Sequence, residues 1–375
     1  MADVSRRLLG RDGVAETSAA ASALVAGRRV VVTGAAGSIG SELVRQMNRL
    51  GAHVYLLDHD ESRLHGLHLE LSGSGLLDTD TVVLADIRDR PRLMRTFERL
   101  RPDVVFHAAA HKHLQLLERA PSEAVKTNVY GTQNVVDAAL AAGAERMVLI
   151  STDKAADPSS VLGASKLLSE YVMQGTAHHG MRVASVRFGN VLGSRGSLLD
   201  TLRWQLANRL PVTITDRDVT RFFMSIPEAV GLVLEAGLMA EHGETYVFDM
   251  GEPIRIVDLV ERFSALTGWP IESIVYSGLR PGEAARGARR HPRGTAVDGT
   301  PAHQRDPDAA HRRSHRRALR PVAGAVPGGA ARRRRLRRTV AHRRRRRPAS
   351  PARRVGASRR GAVAGVNPAG RRAAA

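Results

Sequence analysis

Short apolar runs rich in Val, Ile and Leu alternate, up to about residue 283, with longer stretches in which apolar residues recur every three or four positions. The short runs predict buried strands, and the longer stretches predict amphipathic helices. A repeated strand–helix–strand order predicts parallel strands joined by right-handed crossovers, so the expected fold class is α/β with a doubly wound parallel sheet. The predicted strands are residues 28–32, 53–57, 81–84, 104–106, 147–150, 182–188 and 246–249, and the main predicted helices are residues 41–50, 92–101, 122–142, 162–176 and 257–266.

The same pattern divides the chain into four parts. Residues 1–26 are polar and Ala-rich, and we expect a leader or linker that packs little. Residues 27–190 carry the strand–helix repeat of a nucleotide-binding domain, to which a late strand within residues 244–256 returns. Residues 191–283 predict a small α+β substrate-binding domain that is incomplete. Residues 284–375 form a low-complexity tail that we expect to be disordered.

The positive charge of the chain lies in this tail. The formal net charge is +20, yet residues 284–375 hold 27 Arg, no Lys and three acidic residues, which leaves 30 basic and 34 acidic residues in residues 1–283. Such a tail cannot bury enough apolar surface to offset its ordering entropy, about 1–2 kcal/mol per residue. Clustered cations can bind nucleic-acid phosphates, but the tail has no aromatic residue to stack on bases. Its composition is also typical of GC-rich DNA translated out of frame, and we expect no specific nucleic-acid partner.

Cysteine is absent from the chain. This excludes disulfides and thiolate metal sites, and it suits a reducing compartment. We find no run of about eighteen apolar residues and no secretory signal pattern. The expected protein is therefore cytoplasmic, without a membrane span and without a metal site; a position at the inner face of the membrane is the alternative.

A glycine-rich loop follows the first predicted strand and opens the next helix. Gly34, Gly37 and Gly40 suit a tight turn, close approach of a pyrophosphate and close helix–strand packing, as in dinucleotide-binding Rossmann domains. The free N–H groups of the new helix, which begins with Ser38 and Ile39, are then expected to face the phosphates.

Asp58 ends the second predicted strand. There its carboxylate can accept hydrogen bonds from the adenosine ribose hydroxyls and repel a 2′-phosphate, which favours NAD over NADP as the cofactor. In the alternative interpretation, Asp58 is the N-cap of the helix that begins near Glu61. The other residues expected to line the cofactor site are Asp86, Ile87, Ala108 and Ala109.

Residues 151–166 concentrate reactive side chains where a predicted strand gives way to a helix. Thr152, Asp153 and Lys154 follow the strand directly, at the carboxyl edge where open parallel sheets carry their chemistry. Lys166 lies in the helix that follows. The alternative interpretation is a solvated loop in which Asp153 caps the next helix.

The glycine loop with Asp58, and a lysine (Lys166) four residues after a helix start, resemble the extended short-chain dehydrogenase/reductases. In most of that superfamily, the residue four before the lysine is a tyrosine that serves as the base in carbinol oxidation. Leu162 occupies this position and cannot accept a proton. Either that activity is lost or other groups perform the step.

Eight motifs, among them the glycine loop and the segment with Lys166, follow one another along the chain: TGAAGSIGSE (33–42), HAAAHKH (107–113), EAVKTNVYGT (123–132), STDKA (151–155), GASK (163–166), RFGNVLGSRGS (187–197), DVTRFFM (218–224) and RPGE (280–283). Together, over about residues 5–283, they are similar to the CapD-like polysaccharide biosynthesis proteins, specifically the retaining UDP-N-acetylglucosamine 4,6-dehydratases. That branch carries Met where Tyr is usual, so an apolar residue at Leu162 fits it.

The resemblance implies hydride transfer from sugar C4 to NAD, loss of the C6 hydroxyl as water, and hydride return to C6. It implies Asp153 as the acid for the leaving hydroxyl and Lys154 as the base at C5. It further implies that Thr152 hydrogen-bonds the C4 oxygen and that Lys166 binds the nicotinamide ribose. The residues expected to bind the UDP-sugar are Lys112, Asn190 and Arg195 of the polar loop 189–197, Arg221, and Arg280. Each of these arginines could instead form a surface ion pair. We also expect a homo-oligomer.

Departures from the family pattern leave other functions open. His111, Ala36 and Leu162 stand where the family usually has Tyr, Gly and Met, and the family pattern ends after Glu283. A UDP-sugar epimerase on the same fold is the enzymatic alternative. A truncated remnant that binds NAD without turnover is the non-enzymatic one.

Overall fold

A computed structural model describes residues 7–10, 17–177, 179–248, 250–280, 282–283 and 319–321, all within one unit that spans residues 1–323. In these ranges, eight strands form one central sheet, of which seven run parallel and the last pairs antiparallel at one edge. From that edge the order is β14 (Leu319–Pro321), β11 (His242–Phe248), β6 (Arg182–Arg187), β5 (Arg146–Ile150), β4 (Val104–His107), β1 (Arg29–Thr33), β2 (His53–Asp58) and β3 (Val82–Leu84).

Helices cover both faces of the sheet. Side chains alternate between the faces of a strand, so Val30 and Val32 enter one apolar core while Val31 enters the other. The helices on the first side are α1 (Ala19–Val25), α2 (Ser38–Arg49), α3 (Glu61–Ser72) and α10 (Ile226–Met239), and those on the second side are α4 (Arg90–Leu100), α7 (Gly131–Ala141) and α8 (Val161–Thr176). Two short helices, α5 (Leu114–Arg119) and α6 (Pro121–Ala124), pack against α8. The predicted doubly wound parallel sheet is confirmed.

A smaller α+β part packs around a third apolar core, to which Leu202 and Phe263 contribute. Its described strands pair two by two, β7 with β10 and β8 with β13 in parallel and β9 with β12 antiparallel. These elements are β7 (Asn190–Leu192), α9 (Leu198–Ala207), β8 (Val212–Ile214), β9 (Thr220–Arg221), β10 (Phe223–Ser225), β12 (Ile254–Arg255), α11 (Ile256–Thr267) and β13 (Ile274–Tyr276).

The N-terminal residues pack more tightly than we expected. Leu8 is fully buried in the third core, and Ala21 and Val25 of α1 are fully buried in the first. The backbone N–H of Ser18 donates to the Glu235 carboxylate at 2.7 Å. The expectation of a leader that packs little is wrong for the described part of residues 1–26, because small alanine side chains let α1 lie close against α10.

Two predicted segments differ in detail. The polar loop predicted at residues 189–197 begins with a strand, β7, because Val191 and Leu192 are buried beside β10. Only the first part of residues 244–256 returns to the main sheet, since β12 pairs with β9 instead.

The predicted disordered tail, residues 284–375, lies outside the described residues except for β14, which extends the sheet beside β11. Among the described helices, none combines the length and the apolar character that a membrane crossing requires.

Candidate active site

A cleft of about 730 Å³ opens at the carboxyl ends of β1, β4 and β5 and extends toward β7 and β10. Open α/β sheets bind their ligands at this edge. Most predicted site residues line the cleft: Gly34, Gly37, Ser38, Ile39, Gly40, Asp58, Asp86, Ile87, Ala108, Ala109, Lys112, Thr152, Lys154, Leu162, Lys166, Asn190 and Arg195. In the part of the chain that the structure describes, no cluster of three or more potential metal ligands is found.

The glycine loop is shaped so that side chains would obstruct it. Gly34 has φ +68°, and a Cβ there would lie 2.5 Å from the backbone N of Ala109. A Cβ on Gly40 would collide with the carbonyl of Gly34. Gly37 is the N-cap of α2, where no side chain caps the helix. The first N–H groups of α2 are therefore left to bind an anion such as a pyrophosphate.

Asp58 anchors this loop from the end of β2. Its buried carboxylate accepts hydrogen bonds from the backbone N–H of Ala36 at 2.9 Å and of His59 at 2.8 Å. The N-cap of α3 is Asp60, which accepts from the Arg63 N–H at 3.1 Å. The alternative interpretation of Asp58 as a helix cap is therefore wrong. Its proposed contact with ribose hydroxyls stays a prediction.

The end of the cleft predicted to hold the adenine is fixed by packing and charge. Arg88 pairs with Asp86 at 2.6 Å, and this neighbour lowers the pKa of the Asp86 carboxyl. The Ile87 side chain lies against Gly131, where an added Cβ would come within 2.5 Å of it. This predicted adenine wall is thus held by an ion pair on one side and by a glycine contact on the other.

Thr152, Asp153 and Lys154 form one hydrogen-bonded group after β5. Oδ1 of Asp153 accepts from Thr152 Oγ1 and from Lys154 Nζ, both at 3.0 Å. The Asp153 side chain is 12% exposed and that of Lys154 is 34% exposed. Ser160 caps α8 by accepting from the Gly163 N–H at 3.1 Å. The alternative in which Asp153 caps the next helix is therefore wrong.

Lys166 reaches the same cleft from α8 and is only 4% exposed. Burial lowers the pKa of its ammonium group to about 8, against the opposing effect of Glu170 one turn later. Within the described residues, its ammonium has no hydrogen-bond or ion-pair partner. A nearly buried amine at the floor of a polar cleft is suited to hold a hydroxyl-bearing ligand.

A buried ion pair supports this floor, and the sequence reasoning did not anticipate it. Arg187 donates to both carboxylate oxygens of Glu170, at 2.9 and 2.6 Å, and Ser151 donates to the same carboxylate. Glu170 follows Lys166 at the i+4 position, so the two lie on one helical face. The sequence signal that could have revealed the pair is Glu170 itself, a charged residue on the buried face of a predicted helix.

The helix predicted at residues 122–142 is interrupted at the cleft. It divides into α6, a π-helical segment (Val125–Tyr130) and α7. Asn128 in the π segment accepts from the His111 N–H at 2.8 Å and donates to Ser165 Oγ at 2.9 Å. It therefore ties the segment after β4 to α8, and π segments are frequent at functional sites.

Thr127 is a cleft residue that the sequence reasoning missed. Its Oγ1 is buried, and within the described chain it has no hydrogen-bond partner, yet the residue lines the cleft. Leaving a buried hydroxyl unpaired costs about 1–3 kcal/mol, so this threonine stands out among the residues around the cleft. The only signal in the sequence is its place in the motif at residues 123–132.

His107 closes a hydrogen-bonded chain beneath the cleft. Its Nδ1 lies 2.6 Å from Thr33 Oγ1 and its Nε2 lies 3.0 Å from Thr132 Oγ1. Thr132 donates its one hydroxyl hydrogen to the Asn128 carbonyl, so it must accept from His107, which places the ring hydrogen on Nε2. Burial, with the neighbouring Lys166 charge, lowers the pKa of His107 to about 3, and the imidazole stays neutral.

Leu162 is 7% exposed and packs against Leu117 and Ala124. It presents only carbon atoms to the cleft, so no proton transfer is available at this position.

Three of the predicted residues do not line the cleft. Arg280 is about half exposed and pairs with Glu283 at 2.9 Å. Arg221 is partly buried and donates to the Thr220 carbonyl at 2.8 Å; burial lowers its pKa, opposed by the nearby charges of Asp153 and Glu283. Asp153, the third, lies behind the cleft wall, where it accepts hydrogen bonds from Thr152 and Lys154, which do line the cleft.

Comparison with known proteins finds relatives over most of the chain. The model of the family described as "Polysaccharide biosynthesis protein" matches residues 30–287. The capsular polysaccharide biosynthesis protein CapD of Staphylococcus aureus is 43% identical over 282 residues, which are 74% of this chain and 47% of CapD. The chain thus spans about half the length of that relative.

Two other relatives have names that state an enzymatic activity. A UDP-N-acetylglucosamine 4,6-dehydratase (inverting) of Campylobacter jejuni is 32% identical over 59% of this chain and 66% of its own length. A UDP-glucose 4-epimerase of Rickettsia rickettsii is 31% identical over 59% and 65%.

Solved structures share the fold. Pen from Bacillus thuringiensis has a TM-score of 0.64 and 32% identity, covering 70% of this chain and 80% of its own. A UDP-glucose 4-epimerase of Thermus thermophilus, in complex with NAD, has a TM-score of 0.60 and 22% identity, covering 69% and 89%.

Proposed function

This chain belongs to the polysaccharide biosynthesis protein family, and we propose that it is an NAD-dependent hydro-lyase that converts UDP-N-acetylglucosamine to its 4-keto-6-deoxy product. The observation that carries the proposal is the shared oxygen of Asp153, which accepts hydrogen bonds from both Thr152 and Lys154 at 3.0 Å. A 4,6-dehydration needs a hydroxyl contact, an acid and a base side by side, and this group supplies all three.

The cleft fits the cofactor. The cradle formed by Gly34 and Gly40 leaves no room for a side chain, and no side chain caps the N-terminus of α2 beside it. The chemistry supplied by bound NAD is acceptance of a hydride from C4 and its return at C6. Lys166 is the proposed partner of the nicotinamide ribose, because it is the buried cation on the cleft floor.

The hydrogen bond from Thr152 to Asp153 suggests how C4 can be oxidised without a tyrosine at position 162. As C4 is oxidised, Thr152 Oγ1 takes the C4 hydroxyl proton and passes its own to Asp153 along their hydrogen bond. Asp153, ionised at the start, becomes the acid needed next. No proton has to reach position 162.

The elimination step then uses Lys154 as the base and Asp153 as the acid. Neutral Lys154 removes the C5 proton, and Asp153 gives its proton to the C6 hydroxyl, which leaves as water. This leaves Asp153 ionised and Lys154 protonated, and the 3.0 Å separation of Lys154 Nζ and Asp153 Oδ1 suits such a charged pair. Lys154 returns its proton to C5 as the hydride arrives at C6, and both groups regain their starting states.

The comparisons support this class of reaction. A dehydratase acting on UDP-N-acetylglucosamine is among the relatives, at 32% identity. The apolar Leu162 supports the retaining branch, where the resemblance places Met. Action in the cytoplasm and in polysaccharide synthesis, with a homo-oligomeric enzyme, belongs to the same proposal.

A UDP-sugar epimerase is the second candidate, favoured by the Rickettsia relative at 31% identity. Epimerisation also begins with oxidation at C4, but the C6 hydroxyl stays on the sugar. The two candidates therefore differ in whether the product has a C6 methyl group.

The test incubates the purified full-length protein, loaded with NAD, with UDP-N-acetylglucosamine. We expect a product that absorbs as a 4-keto sugar in alkali and shows a C6 methyl signal by NMR. Asp153→Asn should abolish it, whereas Asp137→Asn, at an exposed pair with Arg90, should not. An epimer with its C6 hydroxyl would establish the second candidate. NAD binding without any change in the sugar would establish the remnant.

A further inference from the structure

The loop of residues 193–197, which we call the clasp, crosses from the smaller domain to the glycine loop. The backbone N–H of Arg195 donates to Ser38 Oγ at 2.9 Å. The guanidinium of Arg195 donates to the carbonyl of Ala36. Both acceptors belong to the turn that holds the N-terminus of α2, so Arg195 lies at the predicted pyrophosphate site of the cofactor.

The clasp is also fastened on the opposite side of the cleft. Lys112 Nζ, in the segment after β4, donates to the carbonyl of Arg195 at 2.8 Å. Gly196 has φ +63° and packs so closely on the His113 ring that a Cβ would lie 2.7 Å from Cε1. Because β1 and β4 are adjacent strands, the clasp spans the carboxyl ends of both.

The two cations at the clasp form no direct ion pair among the described residues, although Asp200 lies near Lys112 and Asp58 and Asp60 lie near Arg195. In the described part of the chain, neither Arg195 nor Lys112 has a carboxylate within ion-pair distance, and each donates to a backbone carbonyl. Both residues are exposed, and partial desolvation of their charged groups lowers the pKa of each. A diphosphate bound on the glycine loop would supply the missing negative charge, through charge-assisted hydrogen bonds.

We propose that Arg195 binds the diphosphate of the cofactor rather than that of the sugar nucleotide, and that the clasp holds the cofactor in place between turnovers. The sequence resemblance assigned Arg195 to the substrate; its contacts with Ala36 and Ser38 place it on the cofactor loop. The inference rests on the NAD cofactor of the proposed function, but not on the reaction that follows. A dehydratase and an epimerase would both keep the clasp.

The test measures release of NAD from loaded, full-length protein that is diluted into an enzymatic trap for free NAD. Arg195→Met keeps the apolar stem and removes the charge, and losing one charge-assisted hydrogen bond should speed release by about tenfold or more. Binding of UDP, measured by calorimetry, should stay within about twofold. Arg217→Met is the matched control, because Arg217 is exposed on the loop between β8 and β9; its release rate should equal the wild-type rate.

A second variant tests the clasp without touching the cofactor loop. Lys112→Met removes the tether on the far side, and it should also speed NAD release; this variant decides the question if Arg195→Met does not fold. Unchanged NAD release with weakened UDP binding in Arg195→Met would overturn the proposal and return Arg195 to the substrate. Protein that binds no NAD at all would instead refute the cofactor assignment on which the proposed function depends.

Discussion

Arg187 donates two hydrogen bonds to the carboxylate of Glu170, from Nε to Oε1 at 2.9 Å and from Nη2 to Oε2 at 2.6 Å. Both side chains are almost fully buried. The pair links the end of β6 to the middle of α8. Glu170 lies one turn after Lys166, so the pair fixes the helix that carries the cleft lysine. Structure beneath the cleft, and not only the residues that line it, therefore supports the proposed active site.

Glu170→Gln should destabilise the protein strongly. The amide cannot neutralise Arg187, and breaking a buried pair from one side typically costs about 3–5 kcal/mol. Urea unfolding followed by circular dichroism measures the loss. The matched control is Glu145→Gln, whose exposed pair with Arg28 should be worth about 0–1 kcal/mol. Equal, small losses in the two variants would show that the buried pair does not stabilise α8.

The free energy of unfolding should rise with pH between about 8 and 10.5 because of Lys166. The folded pKa of this lysine is lowered by burial to about 8 from 10.5. Between these values the unfolded chain binds a proton that the folded chain does not, so folding becomes more favourable as pH rises. The gain approaches about 3 kcal/mol.

The measurement compares the wild type with Lys166→Met across this window. The methionine variant should lack the rise, because it has no group to titrate at this position. Parallel pH dependences of the two proteins would mean that Lys166 is not buried as a charged group below pH 8.

The strands and the cofactor loop were predictable because their signals are local. Val30, Val31 and Val32 form a continuous apolar run, which predicts a buried strand. The glycine spacing after them predicts a tight turn, and in the structure Gly34 and Gly40 indeed have no room for a side chain. These features depend on neighbours in sequence.

The parts that escaped prediction depend on distant partners. Glu170 and Arg187 look like surface charges until β6 is placed beside α8. The burial of α1 follows from its packing against α10, more than two hundred residues later. Thr127 becomes notable only because the π segment leaves its hydroxyl unpaired at the cleft. No periodicity or spacing encodes these contacts.

Gly40→Ala should abolish NAD binding. Its Cβ would collide with the Gly34 carbonyl, and the loop would have to move away from the position in which the α2 N–H groups meet a phosphate. NAD affinity, measured by calorimetry, should fall below detection. Gly175→Ala is the control, because Gly175 is a helical glycine with open space around its Cβ position; it should bind NAD normally and gain up to about 1 kcal/mol in stability. Tight NAD binding by Gly40→Ala would show that the loop is not the cofactor cradle.

Thr152→Val should block the first chemical step. Valine keeps the shape of threonine but cannot carry the C4 proton to Asp153, so oxidation at C4 should slow by about 10²-fold or more. Rapid mixing of NAD-loaded protein with UDP-N-acetylglucosamine, followed by the absorbance of the reduced cofactor, reports this step directly. Thr152→Ser retains the hydroxyl and should recover most of the rate.

Lys154→Met is the informative contrast, because it leaves the route from C4 to Asp153 intact but removes the C5 base. Reduced cofactor should accumulate in this variant, and no 6-deoxy product should form. If Thr152→Val reduces the cofactor as fast as the wild type, the C4 proton leaves by another route, and the arrangement around Asp153 serves the elimination alone.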